Sequence, residues 1–137
     1  MSQRSLEEFG GYHKARVLFD LVVADMKLVQ REPLCFKLVS QQIGSADSIC
    51  ANIEEGHGRL SRPENVRFLD FARGSARETR GRYLRMVHWL GDNVVQQRTT
   101  LADEIIGVLT ATIERLRAQP ASTSAGMLRE EATGYGQ

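Results

Sequence analysis

Little in this chain would cross-link or anchor it. It has two cysteines and three prolines in 137 residues. Cys35 and Cys50 fall on one expected helix, about 22 Å apart at ~1.5 Å per residue. They cannot pair within that helix, and buried free thiols in a reducing cytoplasm are the expectation. No apolar run approaches the ~20 residues that span a bilayer, so no membrane partner is expected. The opening MSQRSLEEFGG lacks the apolar stretch of a secretory leader, which also points to the cytoplasm. Eighteen basic residues nearly balance seventeen acidic ones, for a net charge of +1. That balance excludes a polyanion binder of the strongly basic kind. Internal repeats are absent, and so is the alternating pattern of strands.

What is present is helical periodicity in four segments, within a length that suits one domain with a real core. The first runs from about Gly11 to Gln30, with Tyr12, Leu18, Phe19, Val22, Met26 and Val29 on one face. Glu32-Pro33 interrupts it, because the residue before proline avoids the α region. The second runs from about Pro33 to Glu55, its core face formed by Cys35, Val39, Gln42, Ala46, Ile49, Cys50 and Ile53. Gly56 and Gly58 are expected to stop it. The third runs from about Arg62 to Gly91. Ser61 and Glu64 have the spacing of a capping box, Pro63 suits the first turn, and Leu69, Ala72, Ala76, Tyr83, Val87 and Leu90 form the stripe. The fourth runs from about Thr100, with Asp103 as its capping partner, to Arg117; Leu101, Ile105, Val108, Leu109, Thr112 and Leu116 form its seam. Short joints suit an all-α, antiparallel up-and-down four-helix bundle over residues 1–118. From 119 to 137 the composition turns to Pro, Ala, Ser, Thr and Gly, which reads as a flexible tail.

Two runs stand out against this background. Ser48-Ile49-Cys50-Ala51-Asn52-Ile53-Glu54-Glu55-Gly56-His57-Gly58-Arg59 closes the second helix, and Gly74-Ser75-Ala76-Arg77-Glu78 lies in the third. In order and spacing they resemble the pattern SI-x-x-NI-x-EG-x-x-R followed by GS-x-x-E. That pattern belongs to a bacterial four-helix-bundle family, some members of which are encoded by intervening sequences of large-subunit ribosomal RNA genes. The resemblance covers roughly Phe9 to Leu116. It implies a ring-like homopentamer and names no reaction. It also implies that Ser48, Asn52, Glu55, Gly56, Gly74, Ser75 and Glu78 form a fold-defining polar network between the second and third helices. In one respect the chain departs from its relatives. They commonly carry arginines just before the first run, where this chain reads Gln41-Gln42-Ile43-Gly44-Ser45-Ala46-Asp47.

Helical geometry adds a reason to expect self-association. Gly44, Ser48, Asn52 and Glu55 fall within about 80° of one another, away from the core face. They form either a solvated face of small residues or a covered one that admits another backbone. On the third helix, Phe71, Ser75, Glu78, Arg82, Arg85 and Trp89 form a second stripe beside the core stripe. Aromatics interleaved with arginine compose many protein–protein contacts, although the edge of a core would also explain them. Phe71, Arg82, Arg85 and Trp89 are the expected subunit contacts.

Motifs for chemistry are weak. Glu54-x-x-His57 has the spacing of a di-iron ligand pair, but the matching second pair is missing: Glu78 is followed by Gly81, and Glu104 by Gly107. No metal or cofactor is expected. His13 and His88 have no acid or nucleophile at motif spacing. Ser48 and Ser75 sit in mid-helix, outside any nucleophile elbow. No phosphate loop is present, since Gly56 and Gly58 follow a helix instead of opening one. The expectation is a non-enzyme. A second reading draws on arginine, which suits phosphate. Arg59, Arg62, Arg67, Arg73, Arg77 and Arg80 are candidate nucleic-acid contacts, against the plainer view of a salt-bridged helix face. A more distant architectural likeness, to the pentameric accessory protein of diversity-generating retroelements, extends that reading to a nucleic-acid enzyme as partner.

Overall fold

A computed structural model describes residues 3–120. The regular secondary structure of the described residues is all helical. Helix α1 spans Gln3–Glu8, α2 Gly10–Val29, α3 Phe36–His57, α4 Arg62–Arg85, α5 Val87–Leu90 and α6 Asp92–Arg117, with a 3-10 turn at Pro33–Cys35. The tail expected over residues 119–137 lies, from residue 121 onward, outside the described residues.

The apolar stripes meet in one core. Leu18, Val22 and Met26 of α2 are buried with Ile49 and Ile53 of α3, Leu69 and Tyr83 of α4, and Ile105, Leu109 and Ile113 of α6. Helix α3 packs along α4, α4 along α6, and α2 along both α3 and α6. Cross-helix contacts give the register. Gly56 lies against Asn65 and Phe68, while Gln42 reaches Thr79. Arg73 meets Thr110, and Arg80 meets Asp103. Lys14 meets Glu104, and Asp25 meets Arg98. In each of these pairs, numbers rise on one helix as they fall on the other. Among the described residues no helix is long and apolar enough to cross a membrane. Cys35 and Cys50 are free and buried; Cys35 stands in the 3-10 turn, not in α3 itself.

Four boundaries differ from the sequence expectation, the first being the start of α3, at Phe36 after the 3-10 turn instead of at Pro33. Helix α3 runs through Gly56 to His57, and Gly58 closes it with right-handed backbone angles. Gly56 is inside the helix because its bare Cα admits α4. A Cβ there would lie 3.2 Å from both Asn65 Oδ1 and Phe68 Cβ. Helix α4 ends at Arg85, and the fully buried Met86 caps it. The chain then turns at Gly91, whose φ of 83° suits glycine alone. Helix α6 therefore begins at Asp92, eight residues before Thr100. The neighbouring Thr99 caps nothing; its hydroxyl donates back to the Val95 carbonyl in mid-helix. The Ser61 cap is as expected, with the Glu64 amide donating to Ser61 Oγ at 3.3 Å.

One buried polar cluster escaped the periodicity. Tyr83 of α4 donates to Asp25 Oδ2 at 2.6 Å, and Arg98 of α6 grips the same carboxylate from Nε and Nη2 at 2.7 and 3.1 Å. Asp25 is 5% exposed. A buried carboxylate needs such pairing, and this one ties α2, α4 and α6 together.

Candidate interaction surface

The seam between α3 and α4 is polar at its floor. Gln42 Nε2 donates to the Thr79 carbonyl at 2.9 Å, and the Ser45 and Thr79 hydroxyls share a 2.7 Å hydrogen bond. Thr79 also donates to the Ser75 carbonyl. Arg82 Nη1 reaches over from α4 to Gln42 Oε1 at 2.8 Å, Ser45 Oγ at 3.0 Å and the Gln41 carbonyl at 3.3 Å. The network joining the two helices is therefore Gln42, Ser45, Thr79 and Arg82. A glutamine on a core stripe was the signal for it, since a buried amide must find partners. Ser45 and Thr79 carried no such signal.

The residues expected to form that network lie mostly above it. Ser75 is buried and contributes its carbonyl. Asn52 is half-buried, and its amide donates to the Ser48 carbonyl one turn back on the same helix. Glu55 is exposed and pairs with Arg59 at 3.0 Å; Glu78 is exposed. Gly56 packs tightly against α4, whereas a Cβ on Gly74 would meet nothing within 4 Å. No hydrogen bond joins Ser48, Asn52 or Glu55 to Gly74, Ser75 or Glu78 among the described residues. The register that sets Gln42 and Ser45 against Thr79 and Arg82, and Gly56 against Asn65 and Phe68, brings Ser48 and Asn52 level with Gly74 and Ser75, but the Asn52 amide is spent on its own helix.

Of the four expected subunit contacts, Arg82 is corrected: it is 9% exposed and serves the seam. Burial lowers its pKa, with Glu78 acting the other way. Phe71, Arg85 and Trp89 do lie on the outside, with Phe71 48% and Trp89 37% exposed. Phe71 meets Phe68 edge-on, and Arg67 lies over both rings.

The arginines put forward for nucleic acid are largely occupied. Arg59 pairs with Glu55, Arg67 with Glu64, Arg73 with Asp70, and Arg80 with Asp103. Arg62 donates to the Gln119 carbonyl at 2.8 Å. Arg77 is exposed and has no ion pair among the described residues. Glu54 and His57 are engaged separately. Glu54 accepts from the Tyr12 hydroxyl at 2.7 Å, and His57 packs on the Phe9 ring. Burial lowers the His57 pKa, favouring the neutral ring.

Residues 7–111 match the family model described as 23S rRNA-intervening sequence protein. The chain belongs to that family. Both motif runs lie inside the matched span, and the structure gives some of their residues physical roles. Gly56 is the close-approach glycine of this intervening-sequence protein fold, Ser75 feeds the seam, and Arg59 lies over the Phe68 ring, 4.8 Å from its centroid. Comparison with curated proteins finds none that matches.

Proposed function

We propose that this intervening-sequence family protein is a non-catalytic, self-assembling module of the cytoplasm. In this reading its long helices form an antiparallel up-and-down four-helix bundle. Five copies form a ring that serves another macromolecule as scaffold or accessory. The registers between α3 and α4, α4 and α6, and α2 and α6 support the bundle reading. The observation that carries the assembly is the outer surface of α4 and α5: Phe71 of α4 and Trp89 of α5 are substantially exposed, and Arg85 at the end of α4 has no ion pair within the described chain. Such aromatic and arginine surface is typical of protein contacts. The family pattern supplies the count of five.

Light scattering on the full chain tests this. The expected mass is five copies. Arg85→Ala with Trp89→Ala is expected to lower the mass while far-ultraviolet dichroism stays helical. A wild-type mass of one copy would remove the reading, and an unchanged mass in the variant would move the interface elsewhere. Nucleic acid ranks second, because carboxylates of the same chain already neutralise four of its six proposed arginines. Filter binding at two salt concentrations separates the readings, since phosphate contacts weaken steeply with salt. No binding at low salt is the expected result.

A further inference from the structure

The outward side of α4 presents Arg67, Phe71, Gly74, Glu78, Gly81 and Arg85, spaced alternately by four and three residues along one stripe. Glycine is the weakest helix former after proline, yet two stand inside this 24-residue helix. Neither is needed for packing among the described residues. A Cβ on Gly74 would meet nothing within 4 Å, and one on Gly81 only the tip of Arg85 at 3.7 Å. Gly44 on the outer side of α3 is equally unobstructed. It sits in a second exposed stripe, Ser40, Gly44, Asp47, Ala51 and Glu55.

The two stripes are complementary in charge. Beyond Lys37 the α3 helix carries Asp47, Glu54 and Glu55 and no lysine or arginine. The α4 stripe carries Arg85, without an ion pair among the described residues, and Arg67, which pairs with Glu64, around a lone Glu78, with Arg82 at its edge. Arg82 has no carboxylate in direct contact among the described residues, although Glu78 one turn back acts on it. Among the described residues this buried guanidinium has only neutral acceptors, its Nε is buried with none, and no carboxylate forms an ion pair with it. A buried cation normally has an anion beside it.

We propose that the α4 stripe of one copy seats the α3 stripe of a second copy, backbones close at the glycines, with Asp47 turned toward Arg85. This rests on the self-assembly reading and names its interface. Because the two surfaces differ, the contact is heterologous: it closes a ring or propagates, and does not stop at a pair.

The test uses bulky polar blocks where the single chain has room. One variant carries Gly74→Gln and Gly81→Gln, the other Gly44→Gln and Ala51→Gln. Each alone is expected to scatter light as one copy, with helical dichroism retained. Mixed in equal amounts, they should form a species of two copies, joined through the one intact α3 face and the one intact α4 face. An assembled wild type whose mass neither variant changes would overturn this interface and leave the self-assembly reading standing. Two single-copy variants that fail to combine would overturn the pairing of unlike faces. A single-copy wild type would end both.

Discussion

At the scale of single residues, glycines and tyrosines make the sharpest claims. Gly56 and Gly74 are both helical, yet they should respond oppositely to added bulk. At Gly56 a side chain must displace the Asn65 amide, the Cβ of Phe68 and the Asn65 carbonyl, the last two fixed by the α4 backbone. Gly56→Leu is expected to lose about 1–3 kcal/mol by overpacking. Gly74→Ala meets open space and should make the single chain more stable by up to about 1 kcal/mol. Urea midpoints of the two variants check both signs. Tyr12 adds a pH dependence. Burial, helped by the hydrogen bond to Glu54, pushes it up to about 12, against about 10 when unfolded. Its protonated form is favoured in the folded state, so its share of stability is whole below pH 10. That share is lost as pH rises toward 12. Tyr83 is shifted the same way by burial and by Asp25. The urea midpoint should therefore fall between pH 9.5 and 12, and Tyr12→Phe should fall less.

At the scale of elements, periodicity made α2 and α3 legible, because both are amphipathic over five or more turns. Their stripes match the buried residues, with only Phe19 and Val39 half-buried. The α4–α6 junction was not legible. Whether a helix passes through Met86 depends on Met86 finding a place in the core, and where the next begins depends on a left-handed Gly91. Neither is a matter of local spacing. The α3–α4 seam was half legible: Gln42 on a core stripe demanded partners, but nothing in the sequence tied it to Thr79 or Arg82. The motif runs pointed to the correct pair of helices and mostly to their rims. Core truncation tests the seams: Leu109→Ala, fully buried in α6, should cost about 2–5 kcal/mol, read by thermal or urea unfolding.

At the scale of the whole molecule, the Asp25, Tyr83 and Arg98 cluster is what three long helices share. Removing the carboxylate leaves a cation and a hydroxyl facing each other in a covered site. Asp25→Ala is expected to cost about 3–5 kcal/mol, and the loss should appear in all three helices at once. Amide exchange would show that as a joint rise in opening across α2, α4 and α6. A rise confined to α2 would show that the cluster does not couple them.

The two enclosed thiols have a consequence for experiment. Cys35 is fully covered and Cys50 nearly so, and burial raises the pKa of both, that of Cys50 to about 11. An aromatic disulfide reagent at neutral pH should therefore find almost no thiolate to attack while the fold is closed. Each modification then records a transient opening around the start or the middle of α3, so the protein carries its own two-point clock for fluctuation.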